Sequence, residues 1–311
     1  MNVINEGVLA WRGLETWFRV VGDANDRQLP VVVCHGGPGA THDEVESIGE
    51  LSRSGRQVVL YDQVGNGRSS LRADAPTSFW TFALFLDELR LLVEHLGFGG
   101  GYHLVGHSWG GMLAMEHALT GPPGLRSLVL CNTKASLGGP VGGAGPDLRT
   151  EAGQQFLQAF MAEHVCRVQP PPDGYLRTAA ARQAHPEVFV AMNGPSPFEL
   201  VGNLRGWDVT ARLGEIKPPA LVVTGTYDLI PPDVAYDLDA RLPDSRLVLF
   251  ENSSHMPFVE EPDRFLDVVG RFLIDVERPS RATRITKHED PRIRSSSLDA
   301  PGETTAPPRE N

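Results

Sequence analysis

The stretch Gly106-His107-Ser108-Trp109-Gly110-Gly111 decides how this chain folds. The apolar run Tyr102-His103-Leu104-Val105 stands directly before it, and residues 112–119 form an apolar stretch of helical character after it. A serine between two close glycines at a strand-to-helix turn is typical of a nucleophile elbow, in which a strained turn lifts the hydroxyl above a sheet. The stretch therefore predicts a strand, a sharp turn at Ser108 and a helix, although a plain Gly-Ser loop has the same residues.

Short apolar runs recur along the chain, with helical patterns between them. Runs without polar alternation are typical of strands that are covered on both faces, and their alternation with helices predicts an α/β protein with a mostly parallel, doubly wound sheet. The predicted strands cover residues 29–34, 57–61, 104–105, 125–130, 220–224 and 246–250.

The periodicity of apolar residues predicts helices beside this sheet. Between positions 82 and 96 apolar residues recur at steps of three and four, with Ser78 as the predicted N-cap and Gly97 as the predicted end. A second amphipathic stretch covers residues 262–273, and Pro262 suits its first turn. We expect both apolar faces to pack on the sheet.

The spacing of the predicted strands is uneven in one place. About 90 residues separate the fourth strand from the fifth, far more than one crossover needs. The inserted segment opens with a Gly/Pro-rich stretch and contains a helical pattern at 154–161. It predicts a helical cap inserted after the strand that follows the nucleophile helix. The predicted organisation is a core of residues 1–136 and 207–277, a cap of residues 137–206, and a disordered tail of residues 278–311.

Composition and charge limit the classes of function. The 311 residues are 41% apolar and 22% charged, which suits a large globular core, and the net charge of -11 argues against nucleic-acid and membrane partners. No secretory signal pattern or membrane-spanning stretch is evident, so we expect a cytoplasmic protein. Cys34, Cys131 and Cys166 lack C-x-x-C spacing and are expected to be buried thiols. Neither a metal nor a cofactor is predicted.

Ser108 needs a neighbouring base, because a serine hydroxyl is a poor nucleophile at neutral pH. His255 stands just after the last predicted strand and Asp228 just after the preceding one, so both are expected at the same sheet edge as Ser108. Asp228 would then accept the Nδ1 proton of His255, while His255 takes the proton of Ser108. Taken singly, His255 could be a surface-loop histidine and Asp228 a turn carboxylate before the next helix.

The negative charge that develops on a substrate carbonyl needs backbone N–H donors. Trp109, the residue after the nucleophile, supplies one donor, and we predict Gly37 in the loop His35-Gly36-Gly37-Pro38-Gly39 as the second. Gly36 is a candidate substrate contact, since glycines allow close approach of the backbone. His35 is expected to order the loop by hydrogen bonding.

Three motifs together resemble the proline iminopeptidase family of α/β-hydrolases. They are the loop at 35–39, the stretch Asp62-Gln63-Val64-Gly65-Asn66-Gly67-Arg68-Ser69 and the elbow at 106–111. Similar stretches at 192–195, 206–210, 225–228 and 254–256 extend the resemblance over about residues 15 to 275. It implies an α/β-hydrolase fold, a cofactor-free Ser-His-Asp acyl-enzyme mechanism, and release of an N-terminal residue, often proline, from a short peptide or small amide.

The chain departs from this family where the substrate α-amine is bound. Family members anchor the amine with one glutamate in the cap and another directly after the catalytic aspartate, whereas this chain has Pro197 and Leu229 at those places. A buried ammonium without a carboxylate partner costs several kcal/mol. Glu199 is the candidate replacement in the cap, and Trp207 with Phe198 indicates an apolar pocket. The predicted substrate-binding positions are Gly36, Glu199, Trp207 and Leu229.

Other functions stay open on these residues. Without the amine-binding glutamates, the chain could be an esterase, amidase or lactonase acting on an apolar small molecule. C–C bond hydrolysis fits the same scaffold, whereas epoxide opening normally needs a carboxylate where this chain has Ser108. A non-catalytic receptor would keep the pocket without turnover, and fluorophosphonate labelling of Ser108 separates that class from an enzyme.

Overall fold

The predicted strands all lie in a single sheet. The computed structural model describes residues 3–24, 28–138 and 146–278, and within these ranges it contains an eight-stranded sheet of order β1-β2-β4-β3-β5-β6-β7-β8. The strands are β1 Val3–Trp11, β2 Leu14–Val21, β3 Val31–Cys34, β4 Val58–Tyr61, β5 Tyr102–His107, β6 Leu125–Cys131, β7 Ala220–Gly225 and β8 Ser245–Phe250.

Helices connect the strands. The α-helices of the described ranges are α1 Phe82–His95, α2 Trp109–Leu119, α3 Glu151–His164, α4 Asp173–Ala184, α5 Glu187–Met192, α6 Pro232–Arg241, α7 Pro257–Glu260 and α8 Pro262–Glu277. The 3₁₀ helices there are His42–Ser54, Thr77–Phe79, Phe98–Gly100 and Thr210–Glu215.

The sheet is mostly parallel, as predicted. Every pair from β3 to β8 is parallel, whereas β1 and β2 form an antiparallel hairpin at one edge, with β2 also antiparallel to β4. This hairpin escaped the sequence analysis because β1 is largely exposed and lacks a continuous apolar run. Since β3 to β8 are parallel, their carboxyl ends meet at one edge of the sheet, where α/β proteins bind ligands.

Two apolar layers cover the two faces of the sheet. Val32 and Cys34 of β3 belong to the cluster that contains the inward faces of α1 and α2, whereas Val31 and Val33 belong to the cluster on the α8 side. Successive side chains of a strand point to opposite faces, so an unbroken apolar run is what a doubly covered strand requires. The prediction of a doubly wound sheet is therefore confirmed.

The ends of the helices show one wrong prediction. Thr81, and not Ser78, is the N-cap of α1, because the Thr81 side chain accepts a hydrogen bond from the Leu84 N–H at 3.2 Å. Ser78 lies in the short 3₁₀ helix before it. Gly97 follows the last residues of α1 with a φ of 73°, a left-handed conformation that suits glycine, as predicted. Pro262 occupies the first turn of α8, also as predicted.

The segment between β6 and β7 contains α3, α4 and α5. The two ends of this segment lie side by side, where Ser136 bridges Asp208 and the Leu137 N–H donates to the Trp207 carbonyl at 2.8 Å. On the far side, Arg177 of α4 pairs with Asp43 and Glu46 of the first 3₁₀ helix. These contacts tie the segment to the rest of the fold, and the described residues between 3 and 278 belong to one compact unit.

Parts of the predicted organisation are not tested. The division into a core and a cap at 137–206 stays a prediction, and the predicted tail lies outside the described residues apart from Arg278. None of the described helices has both the length and the apolar character needed to cross a membrane. All three cysteines are free and buried, as expected.

Candidate active site

Ser108 occupies the strained turn between β5 and α2. Its φ and ψ of 53° and -115° lie in a region that non-glycine residues rarely adopt. A Cβ on Gly106 would come within 2.3 Å of the Gly110 carbonyl oxygen, and one on Gly110 would come within 2.1 Å of the Cys34 carbonyl oxygen. Both glycines are therefore required by close backbone contacts, as the nucleophile-elbow interpretation predicts.

Asp228 and His255 meet at the carboxyl edge of the sheet. Asp228 lies in the turn after β7, His255 lies in the loop after β8, and His255 Nδ1 is 2.6 Å from Asp228 Oδ1. Both residues are buried. Asp228 Oδ1 also accepts the Ile230 N–H at 3.0 Å, and Oδ2 accepts the Asn132 side-chain amide at 2.7 Å. The Asp228 carboxylate is thus held by three donors, one of which is the imidazole.

Asn132 connects the two loops that carry this pair. Besides Asp228, its Nδ2 donates to the Ser254 carbonyl at 3.0 Å, directly before His255. Asn132 has a positive φ of 50° immediately after β6, a conformation that asparagine tolerates better than most residues. One side chain therefore sets the separation between the acid and the base.

Ser108 lies at the same edge as His255, and His107, the residue before Ser108, contacts His255. Within the described ranges the Ser108 hydroxyl makes no hydrogen bond to His255. The His107 ring lies 4.7 Å from the His255 ring, and His107 Nε2 is 2.9 Å from the His255 carbonyl oxygen. Hydrogen bonds of a nucleophile and its base are often long without substrate and tighten in the complex.

The loop after β3 approaches the nucleophile closely. A Cβ on Gly36 would lie 3.3 Å from the Ser108 Cβ. The Gly36 N–H donates to Glu44 at 2.8 Å, while the N–H groups of Gly37 and Trp109 donate to no backbone carbonyl in the described part of the chain. Trp109 opens α2, and the first N–H groups of a helix have no partner within it. Two N–H groups beside Ser108 are therefore open to an acceptor.

Gln63 forms hydrogen bonds with both segments that carry the N–H groups of Gly37 and Trp109. Its side-chain amide donates to the His35 carbonyl at 3.2 Å and accepts the Trp109 indole N–H at 2.8 Å, and its backbone N–H donates to His35 Nε2 at 3.1 Å. Burial lowers the pKa of His35, although Asp62 opposes this, so a neutral ring can accept at Nε2. His35 orders the loop by hydrogen bonding, as expected.

An aromatic cluster includes Trp109, the residue after Ser108. The Trp207 ring stacks on Phe82 at 5.3 Å, and Phe82 lies 4.7 Å from Trp109. The Trp207 indole N–H is bound to Glu116 at 2.7 Å, so this residue presents an apolar face rather than a donor. Phe198 lies 5.3 Å from Phe160 of α3. These contacts agree with the apolar character expected from Trp207 and Phe198.

The other two candidate substrate-binding residues are Leu229, which lies beside the end of α3, and Glu199, which lies between α5 and β7. The Leu229 backbone N–H donates to the His164 carbonyl at 3.1 Å, and its side chain is 39% exposed. Glu199 is exposed and accepts a hydrogen bond from the Ser196 hydroxyl at 3.4 Å. The substrate roles of both residues stay predictions.

Lys134 is a charged residue near the site that sequence reasoning missed. It follows Thr133, whose hydroxyl donates to the Ser108 carbonyl at 2.7 Å, and it is partly buried. Burial lowers the pKa of Lys134, and the negative charge of Asp228 opposes this shift. Among the described residues the Lys134 ammonium forms no ion pair, so a cation without a carboxylate partner stands close to the candidate triad. No group of three metal-binding side chains occurs in those residues.

Comparisons with known proteins agree with this geometry. The model of the alpha/beta hydrolase family matches residues 31–268, which defines the class. A proline iminopeptidase of Clostridioides difficile (strain 630) is 33% identical over 294 residues, which span 87% of this chain and 98% of that protein. The crystal structures of VinJ and of the proline iminopeptidase of Mycobacterium smegmatis each give a TM-score of 0.82, at 38% and 35% identity, over 88% of this chain and 99% of theirs.

The chain therefore belongs to the proline iminopeptidase family of alpha/beta hydrolases, and it is a hydrolase enzyme. The predicted family and fold class are confirmed. The sequence analysis missed Glu44, Gln63, Asn132 and Lys134 as site residues. For Gln63 and Asn132 a signal existed, because each stands within two residues of the carboxyl end of a parallel strand.

Proposed function

We propose that this protein hydrolyses amide or ester bonds through an acyl-enzyme on Ser108. Ser108 Oγ attacks the substrate carbonyl carbon while His255 Nε2 takes the hydroxyl proton, and the N–H groups of Gly37 and Trp109 receive the oxyanion. The tetrahedral intermediate then breaks its C–N or C–O bond as His255 protonates the leaving group. Water, deprotonated by His255, attacks the acyl-serine, releases the acid and restores Ser108. Asp228 orients His255 and stabilises the imidazolium.

One observation carries this proposal. The 2.6 Å bond between His255 and Asp228 lies at the same sheet edge as the strained turn of Ser108. Three chain segments far apart in sequence converge there, in the order that this class of hydrolase uses. A surface-loop histidine would not be buried against a carboxylate that two other donors, the Ile230 N–H and Asn132, already hold.

The substrate that we propose first is a short peptide or amide with an N-terminal residue, often proline, that the enzyme releases. The similarity to proteins named proline iminopeptidase over nearly their whole length supports this choice. The aromatic cluster of Trp109, Phe82 and Trp207, which begins at the residue after Ser108, favours a small apolar acyl group such as prolyl.

Single-site variants test the mechanism. In Ser108→Ala and His255→Ala we expect kcat to fall by about 10⁴-fold or more for prolyl-naphthylamide and p-nitrophenyl esters alike. Ser54→Ala is the matched control, because the Ser54 hydroxyl donates to the Leu51 carbonyl and accepts from Arg56 Nε at 3.3 Å, and within the described ranges it contacts none of the three proposed triad residues. Native turnover in Ser108→Ala would refute the proposal.

A second candidate is an esterase, amidase or lactonase that needs no free α-amine. Pro197 and Leu229 leave the family's amine-anchoring places without carboxylates. The Lys134 ammonium, which lies near Asp228, has the same charge as a substrate ammonium and would repel it. Both features disfavour a substrate ammonium. Measuring the hydrolysis of prolyl- and alanyl-naphthylamide and of their N-acetylated forms decides between the two candidates. A strict need for the free amine supports the peptidase, and equal hydrolysis of the blocked forms supports the second candidate.

A further inference from the structure

Glu44 and His107 form a buried pair beside the proposed triad. Glu44 lies in the first turn of the 3₁₀ helix His42–Ser54, and its Oε1 is 2.7 Å from His107 Nδ1. The same oxygen accepts the Gly36 N–H at 2.8 Å. The Glu44 and His107 side chains are only 13% and 2% exposed. Nothing in the acyl-enzyme steps above uses either side chain.

The partners of His107 determine where its protons lie. On one side of the ring Nδ1 faces the Glu44 carboxylate, and on the other Nε2 lies 2.9 Å from the His255 carbonyl oxygen. A backbone carbonyl only accepts, and so does an ionised carboxylate. Both ring nitrogens must therefore donate, provided that Glu44 is ionised.

Glu44 is held in its ionised form. Burial alone would raise its pKa, but the charge and hydrogen bond of His107 and the Gly36 N–H outweigh burial and bring the pKa to about 2. The titratable groups that face His107 are Glu44 from the 3₁₀ helix and His255 from the loop after β8, with the apolar Phe258 of α7 against its ring at 4.9 Å.

We propose that Glu44 holds His107 doubly protonated, and that this ion pair is a positioning device for the reaction proposed above. His107 donates to the His255 carbonyl and fixes the loop of the proposed base. Glu44 receives the Gly36 N–H and fixes the loop of the proposed oxyanion donor Gly37. One ion pair, in which His107 directly precedes the nucleophile in sequence, thus sets the separation between the base and the oxyanion site.

Two substitutions at Glu44 separate geometry from charge. In Glu44→Gln, an amide oxygen at the Oε1 position still accepts from the Gly36 N–H and from His107 Nδ1, because that one atom makes both contacts. The neutral amide does not hold a second proton on the ring, so His107 loses its bond to the His255 carbonyl. In Glu44→Ala, both contacts are lost. We expect kcat to fall by about 10- to 100-fold in Glu44→Ala with KM within about twofold, and to fall by a smaller factor in Glu44→Gln, which keeps the Gly36 bond but not the charge. Glu46→Gln is the matched control, since Glu46 pairs with Arg177 on the surface of the same 3₁₀ helix.

The protonation state is read directly by ¹⁵N NMR of the histidine rings, with the His107 signals assigned by their loss in His107→Gln. At about pH 7.5 we expect two N–H signals for His107 in the native protein and in Ser108→Ala, and one in Glu44→Gln. A single ring N–H in the native protein would overturn the proposal, as would native kcat in Glu44→Ala. Because the NMR measurement needs no turnover, it separates failure of this inference from failure of the proposed function.

Discussion

Asp228→Asn perturbs the proposed triad at its best-defined contact. The carboxylate oxygen is 2.6 Å from His255 Nδ1, which puts its charge about 4 Å from the charge of an imidazolium. At an effective dielectric constant of about 20, that interaction is worth about 4 kcal/mol. Each factor of ten in rate corresponds to about 1.36 kcal/mol, so loss of the charge predicts a fall in kcat of about 10³-fold.

The surroundings of Asp228 make the substitution more severe. Its two oxygens accept from His255, the Ile230 N–H and Asn132. An amide can present only one oxygen, so its NH₂ must face either Asn132 or the imidazole. If it faces the imidazole, Nδ1 becomes the acceptor and Nε2 carries the proton, which leaves His255 unable to act as a base toward Ser108.

Steady-state kinetics on a p-nitrophenyl ester and on prolyl-naphthylamide measure this effect. Asp233→Asn is the control, because Asp233 is an exposed carboxylate in the first turn of α6. We expect native kcat in the control and a loss of about 10³-fold in Asp228→Asn, with KM nearly unchanged. A loss of less than tenfold in a correctly folded variant would refute the role of Asp228.

Three further predictions concern packing, specificity and pH. Gly110→Ala brings a Cβ within 2.1 Å of the Cys34 carbonyl oxygen. We therefore expect the free energy of unfolding, measured by urea unfolding, to fall by about 1–3 kcal/mol, and an unchanged free energy would contradict the close contact. Lys134→Met removes the unpaired cation, so kcat/KM for free-amine substrates should rise about tenfold relative to N-acetylated ones, and an unchanged ratio would exclude Lys134 from specificity. Burial raises the pKa of Glu88 to about 8, although hydrogen bonds from Thr16 and Val64 oppose it. Because the unfolded state ionises first, the free energy of unfolding should fall as the pH rises from about 4.5 to about 8, and Glu88→Gln should flatten that decline; an equal slope in the variant would contradict this.

The sequence predicted the elements that follow from continuous apolar runs. Ser108, Asp228 and His255 were predictable because each stands just beyond such a run, and parallel strands bring their carboxyl ends together. The β1–β2 hairpin was missed because β1 is largely exposed and carries no such run.

The residues that support the site were harder to predict. Glu44 stands in the first turn of a 3₁₀ helix, where an acidic residue ordinarily suits the helix dipole, so nothing local indicates its contact with His107. Ser78 and Thr81 are both good N-caps, and the choice between them depends on where α1 begins, which tertiary packing decides. Such contacts depend on distances across the fold that spacing in the sequence does not contain.

The nucleophile itself is tested most directly by intact-protein and peptide mass spectrometry after reaction with a fluorophosphonate. We expect one adduct on the peptide that contains Ser108, loss of esterase and amidase activity in step with labelling, and no adduct in Ser108→Ala. An adduct on another residue, or turnover that survives full labelling of Ser108, would contradict the proposed mechanism.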